Sequence, residues 1–476
     1  MLRAGVSASV AAGVAWGLVG CATPDDGTTR GDSETGGDGL GDDAGTAQGA
    51  GAVPAPAAMV RTSWATDPFA LGSYSFLPVG ATPEARTQLA EPVARRLFFA
   101  GEALDPHNPA TVHGARASGL AAAELVDGEA EAGETIVMLG AGIAGASAAR
   151  WLADAGYEVV VVEGRARVGG RVHTEQPTGW PVPVERGASW VHDIDASDVA
   201  ERLRALGIAT VPFEYDDIVL GVDGQPADDG FADGVDDAIE AAIEWADELD
   251  SDVSLAEALA RSGAADEVDP VALEHVLRTE LTTEYGADAD ELSAWWGTEE
   301  GSDGDDVLVV GGYAGLVESL LDGVDVRTEW PVVSVVYGDD GVAVTRVDGE
   351  ELEGDRVVVT VPLGVLQAGM VDFDPPLPAS HRGAIDQMAM GLLDKVWLRW
   401  DEPWWTEPAQ QWTRVPAQGE QRAGFAEWFN LAAVGGGAVL LGLIGGAEAR
   451  EWAERSDDEL LVAALASLQH FRDAGW

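Results

Sequence analysis

Residues 135–163 leave few choices of fold. Thr135-Ile-Val-Met-Leu139 reads as a strand, Gly140-Ala-Gly142-Ile-Ala144-Gly145 as a glycine loop, Ser147-Ala-Ala-Arg-Trp-Leu-Ala-Asp-Ala155 as a helix, and Tyr157-Glu-Val-Val-Val-Val162 as a second strand ending in Glu163. Strand, glycine turn, helix and strand make the βαβ unit of a parallel sheet. Glycines at the turn let backbone N–H groups come close to a pyrophosphate held at the helix N-terminus. Glu163 is placed to accept hydrogen bonds from a ribose diol rather than to bind a 2′-phosphate, so the loop favours an unphosphorylated adenosine dinucleotide, FAD or NAD. A glycine pattern alone is weak in a chain with 60 glycines, because many glycine turns serve packing only. The order of the flanking elements makes it specific.

Glu163 opens a second cluster, Glu163-Gly-Arg165-Ala-Arg167-Val-Gly169-Gly170-Arg171-Val-His-Thr174. Cations and bare backbone beside one dinucleotide suit a diphosphate. Further on come Glu185-Arg-Gly-Ala-Ser189-Trp190-Val-His192, Val309-Val-Gly-Gly-Tyr313 with Leu316, Val357-Val-Val-Thr-Val-Pro-Leu-Gly364-Val-Leu366, Met390-Gly-Leu-Leu-Asp-Lys395-Val, and Glu427-Trp428-Phe-Asn430. In this order they resemble the flavin-dependent amine oxidase family, which includes monoamine oxidases, polyamine oxidases and lysine-specific histone demethylases. The resemblance runs from Arg61 to Phe471.

The family's closing motif resembles three segments that here precede the glycine loop. They are Trp64-Ala-Thr-Asp67-Pro-Phe-Ala-Leu-Gly-Ser-Tyr74, Leu97-Phe-Phe-Ala-Gly101-Glu102 and Ala110-Thr111-Val112-His113-Gly114. The order is that of a circularly permuted chain. Ends of compact domains often lie close together at the surface, which is why permutation is tolerated. The old ends would be joined by Asp127-Gly-Glu-Ala-Glu-Ala-Gly-Glu134, a linker spanning at most roughly 27 Å. The new break falls between Trp476 and about Ala57.

The first residues carry a different signal. Arg3, an apolar run from Ala4 to Val19 and Leu18-Val-Gly-Cys21 resemble a bacterial lipoprotein leader, in which Cys21 becomes the lipidated first residue. The run is short for a membrane span of about 20 residues, so a processed or anchoring signal is expected. Residues 22–56 are Gly, Asp, Thr and Ala with almost no large apolar side chain, and are expected to be a disordered tether with a root-mean-square span of roughly 30 to 35 Å. The predicted location is the cell envelope, with the membrane engaged only through the lipid. Cys21 is also the sole cysteine. No other thiol is available to attach a flavin, so FAD is expected to be noncovalent.

The predicted class is α/β: a Rossmann-like FAD-binding domain (57–191 and 307–366) interleaved with an α+β substrate-binding domain (192–306 and 367–476). Gly114 to Val126 and Val235 to Ala246 read as helices. Residues 394–400 read as a strand, with Lys395, Trp397 and Arg399 on one face.

Lys395 is the only lysine among 26 arginines. Arginine stays charged and forked, whereas lysine presents a compact ammonium whose pKa burial can lower. The resemblance implies that Lys395 is catalytic, holding a water against the reactive flavin nitrogen. It further implies that Gly140, Gly142, Ala144, Gly145, Glu163, Arg165, Gly170 and Arg171 hold adenosine and diphosphate, with Val333 against adenine. Trp64, Gly101, Glu102, Thr111, Val112, Ser189 and Trp190 would surround the rest of the flavin. His192, Trp397 and Trp428 are candidate substrate contacts. Thr111 stands where monoamine oxidases carry a cage tyrosine, which points to the polyamine oxidase and demethylase branch.

The net charge of −56 argues strongly against nucleic acid as a partner, since phosphates would be repelled. It could steer polycations, although a solubilising surface explains it as well. No His, Cys and Asp spacing suggests a metal. The expected activity is oxidation of a small amine to an imine with electrons passed to O2, polyamines being favoured. An L-amino-acid oxidase, with Arg399 pairing the substrate carboxylate, and a non-catalytic flavin- or amine-binding lipoprotein are the alternatives.

Overall fold

The structure is a computed structural model that describes residues 51–476, apart from 196, 214–216, 229, 299–303 and 417–423. The leader with Cys21, and the tether as far as residue 50, lie outside the described residues.

A five-stranded parallel sheet forms the cofactor-binding half. Its order is Asp325–Arg327, Glu158–Val162, Thr135–Leu139, Arg356–Val359 and Leu97–Phe99. Both faces are covered, which is why residues 136–139, 159–162, 357–359 and 97–99 are apolar throughout instead of alternating. Ile136 and Met138 face the helices Val112–Glu129 and Ile143–Ala155, while Val137 and Leu139 face a second cluster built around Leu89, Val335 and Val344. The two helices approach closely because of Gly119, where a Cβ would stand 2.2 Å from Ala144 O. The edge strand Leu97–Phe99 comes from the early part of the chain, so residues before the glycine loop complete its sheet.

The other half is a six-stranded sheet in the order Ala58–Arg61, Leu393–Arg399, Val439–Gly445, Glu427–Asn430, Gln411–Arg414 and Asp217–Leu220. Its faces divide the side chains by alternation. Val396, Leu398, Trp412 and Trp428 pack beneath the helix Asp457–Asp473, whose start is fixed by a capping box of Ser456 and Glu459. Trp397, Phe429 and Leu441 pack on the opposite face, against Phe213 and Leu308 of a three-stranded sheet. The acidic helices Val235–Asp247 and Leu255–Ser262 bury an apolar cluster of their own.

Three boundaries differ from expectation. Ala58–Arg61 pairs with the strand of Lys395, not with the nucleotide-binding sheet. Asp372–Asp374 pairs with Val332–Gly338 on the cofactor side. Residues 51–56 are held, not loose: Val53 N–H donates to Gln469 at 2.8 Å, Trp400 Nε1 donates to Pro54 O at 2.8 Å, and Val53 is buried. Val53 and the rigidity of Pro54 and Pro56 near the domain gave the end of the tether an anchor that its average composition hid.

Candidate active site

The glycine loop is shaped by contacts that exclude side chains. Gly140 has φ +114°, and a Cβ there would meet Thr360 Oγ1 at 2.6 Å; a Cβ on Gly145 would stand 2.1 Å from Gly140 O. At Gly142 the nearest atom is Gly169 O at 4.0 Å, so this side of the loop is open. Gly142 caps the helix without any side-chain hydrogen bond, leaving the first-turn N–H groups for an anion. Gly169 N–H donates to Ala141 O at 2.8 Å, which brings the glycine pair 169–170 to the loop. Ala144 is buried inside the first turn. A diphosphate fits this donor set.

Glu163 is buried at the end of its strand and accepts from Ala141 N at 3.0 Å and Arg165 N at 2.9 Å. Arg165 is oriented by Asp67 at 2.8 Å and by the Phe69 ring. Glu329 N–H donates to Arg165 O, and Trp330 N–H to Glu163 O, so the strand carrying Val333 begins beside the ribose position. Val333 is 37 % exposed at an irregularity in that strand.

The early segments close the other end. Arg171 donates to Ser73 O and to Glu102, both at 2.8 Å. Glu102 is buried and also accepts from Ser75 Oγ at 2.7 Å and Ala110 N at 3.1 Å. Burial raises its pKa, but Arg171, Ser75 and Arg86 outweigh that and hold it below the usual carboxylate range. Gly101, with φ +153°, turns the chain into Glu102. Thr111 caps the helix that Val112 begins, accepting from Gly114 N at 2.9 Å. Residues 73–75, 101–112 and 171 are thereby locked together.

Lys395 lies where the halves meet. It is buried, and its Nζ donates to Gly187 O at 2.7 Å and to Ser189 Oγ at 2.6 Å, with the Trp190 ring centroid 5.1 Å away. Burial brings the amine down to about 7, opposed by the charge of Glu185. Trp64 is fixed on the same junction, donating from Nε1 to Arg186 O at 3.2 Å, while Asp394 accepts from Trp64 N at 3.1 Å. His192 pairs with Asp306 at 2.7 Å; burial disfavours its charged form, but Asp306 prevails and raises its pKa.

Two aromatic assignments change. Trp428 is fully buried on the face opposite Lys395, where its Nε1 donates to Ser467 Oγ at 3.0 Å. It is a core residue. Its neighbour Phe429 takes the Lys395 side and packs with Trp190 (5.2 Å between ring centroids) and Phe213 (5.6 Å). These two phenylalanines were not foreseen. Trp397 shares their face but is packed beneath them in the apolar cluster. Arg399, the candidate carboxylate receptor, stands four residues along the strand from Lys395, roughly 13 Å away at a strand's rise, and pairs with Asp401 at 3.1 Å. One carboxylate group dense enough for an ion occurs among the described residues, Asp288, Asp290 and Glu291. Thr282, Ala447 N and Arg450 already engage it.

A parallel sheet with a glycine-lined diphosphate cradle, joined at a buried lysine to a second domain that presents an aromatic face, defines an FAD-dependent oxidoreductase. The particular family follows from sequence. The family model described as flavin containing amine oxidoreductase matches residues 47–127 and 143–474, and the chain belongs to that family. Polyamine oxidase 2 of Arabidopsis thaliana is 31% identical over 357 residues, covering 70% of this chain and 72% of that protein. Lysine-specific histone demethylase 1 homolog 2 of Oryza sativa subsp. japonica is 31% identical over 332 residues, 67% of this chain but 44% of that protein. Among solved structures, cyclohexylamine oxidase from Brevibacterium oxydans IH-35A superposes with a TM-score of 0.58 at 23% identity, covering 71% of this chain and 82% of that one. Wild-type putrescine oxidase bound to putrescine gives 0.56 at 22%, covering 71% and 81%. The chain is a flavin amine oxidoreductase, and its cofactor is FAD.

Proposed function

We propose that the protein oxidises primary or secondary amines, with polyamines preferred and O2 as the electron acceptor. The observation that carries this reading is Lys395, a buried amine brought near neutrality and aimed at the junction of the cofactor cradle and the aromatic face. Bound FAD supplies a two-electron acceptor: hydride from the carbon bearing nitrogen leaves an imine, which water hydrolyses, and O2 takes up the electrons as hydrogen peroxide. Trp190, Phe213 and Phe429 keep water from the reacting carbon and favour the neutral, reactive form of the amine. Lys395 commits two of its donor positions to Gly187 O and Ser189 Oγ. The third position, a proton on the ammonium or a lone pair on the amine, is left for a water or the reacting nitrogen.

The position and pairing of Arg399 disfavour an L-amino-acid oxidase, and the lysine disfavours a binding protein without turnover. Peroxide release across putrescine, spermidine, aromatic amines and amino acids tests the reading. Polyamines should turn over fastest; amino acids alone giving peroxide would overturn it.

The connectivity is also part of this proposal. We infer a circular permutation because strand Leu97–Phe99 and residues 101–112 complete the cofactor site from a position ahead of the glycine loop. The block 143–474 is by itself about 70% of the chain, the same share that Arabidopsis polyamine oxidase 2 aligns with, as expected if collinear alignment stops at the permuted joint. Cys21 is proposed as the lipid attachment point in the cell envelope, and C21S should move the protein out of the detergent phase in a phase-partition assay.

A further inference from the structure

One buried acid has no part in the reading above. Glu427 is 4% exposed on the strand Glu427–Asn430. One of its oxygens accepts from Gln411 Nε2 at 2.7 Å, whereas Oε2 is buried with no hydrogen-bond partner. A buried carboxylate half-satisfied in this way is costly unless a cation or donor arrives to complete it. No cation of the fold does so among the described residues. Arg278, which lines the same small cleft with Thr279, Thr282, Thr283 and Leu443, is committed to Glu448 at 2.9 Å and to Gly424 O at 2.5 Å. The other charges near Glu427 are acids. Burial first, then Glu280 and Asp217, push it up to about 8, against the bond from Gln411.

Sheet register relates this group to the chemistry. Lys395 pairs with Leu443 and Leu443 with Glu427, so the three residues form one row on one face of the sheet. Two strand spacings set Glu427 roughly 10 Å from Lys395. Tyr74 links the cleft to the cofactor side: its hydroxyl donates to Thr283 O, and it follows Ser73, whose carbonyl accepts from Arg171. Burial raises the Tyr74 pKa, and the charges of Glu284 and Glu427 raise it further, so the phenol stays a neutral donor beside the cleft.

We propose that Glu427 receives the second, non-reacting ammonium of a diamine or polyamine whose reacting nitrogen lies at Lys395, and so selects dications over monoamines. The inference rests on the amine-oxidase reading. An ammonium at Oε2 supplies both the missing hydrogen bond and the missing counter-charge. A monoamine of equal length brings only methylenes and leaves the oxygen orphaned, which is the arrangement that gives large discrimination.

The test compares FAD-loaded wild type and E427Q on cadaverine and hexylamine, reading kcat/KM by peroxide release. Glutamine keeps the size and the Gln411 contact while removing the charge. The wild-type ratio of cadaverine to hexylamine is expected to be about 10-fold or more, and to fall by a similar factor in E427Q. A ratio preserved in E427Q overturns the inference. Should E427Q fail to fold, a wild-type ratio near one overturns it equally. If the wild type oxidises neither amine, nor any other, the amine-oxidase reading itself fails; if it oxidises both without preference, that reading stands and only the role of Glu427 falls.

Discussion

Lys395 shows what a single residue type contributes here. Its contacts are a carbonyl, a hydroxyl and the face of the Trp190 ring, with Glu185 acting only at a distance, so no carboxylate in direct contact repays the loss of water around a full charge. The fold answers by lowering the pKa to about 7, which an arginine cannot match. Replacing the amine with an isosteric apolar chain, K395M, should therefore lower kcat by about 10²-fold or more while the purified protein stays yellow. The same shift predicts a stability effect of definite sign. In the unfolded chain the amine titrates at its ordinary 10.5, in the folded chain at about 7, so between those values the unfolded state holds the extra proton. The cost of burying Lys395 is then full below about pH 7 and fades as pH rises toward 10.5. Denaturant unfolding of the cofactor-free proteins should show wild type gaining on K395M by a few kcal/mol from about pH 6 to about pH 10. A difference that stays flat with pH would mean that the lysine is unperturbed.

At the scale of elements, legibility in the sequence followed how much a local rule decides. The strand, glycine loop, helix and acid of residues 135–163 could be read because Gly140 and Gly145 answer nearby clashes, Gly142 leaves the loop open, and each run has one period. The same holds for Lys395, set apart by its rarity. The strand Glu427–Asn430 could not be read in this way. All four of its residues are buried, so there is no polar alternation to say which face meets the site. The choice between Trp428 and Phe429 is made by pairing with Val439–Gly445, a contact that no local pattern encodes. Phe213 was hidden for the same reason, since it reaches the site from the three-stranded sheet through its pairing with Asp306. This division can be tested by kinetics. W428F removes the bond to Ser467 and should cost about 1 kcal/mol of stability with little change in kcat/KM. F429L opens the aromatic face beside Trp190 and should lower kcat/KM several-fold on every amine. The reverse pattern would return Trp428 to the substrate side.

For the whole molecule, the question is why early residues serve a site built mostly from later ones. The helix Val112–Glu129 runs into the strand Thr135–Leu139 through a short turn, and one buried guanidinium grips both of its ends: Arg356 donates to Glu129 O at 2.5 Å and to Glu134 at 2.6 Å, and reaches Arg95 O as well. That joint is an ordinary αβ connection, rigid and internally satisfied. At the other seam Arg472 donates to Gly51 O at 2.5 Å, Val53 N–H to Gln469, and Trp476 is buried against Trp412 at 6.0 Å between centroids. Residues 51–53 and 469–476 are therefore neighbours without being joined. Closing a gap between neighbours costs little chain entropy, and grows only slowly with the length of the inserted loop. A protein that begins at Glu134, runs to Trp476, continues through a short Gly/Ser bridge into Gly51 and ends at Gly133 should keep every contact of both halves except the grip of Arg356 across the reopened joint. It is expected to take up FAD and to oxidise the same amines within a few-fold of the parent rate, with a melting temperature lowered by several degrees because a buried guanidinium loses part of its partner set. Absorbance of the bound flavin and a thermal scan read both outcomes. A rejoined chain that folds but binds no FAD would show that the order of segments, and not only their arrangement in space, is needed for the site, and the permutation argument would fail with it.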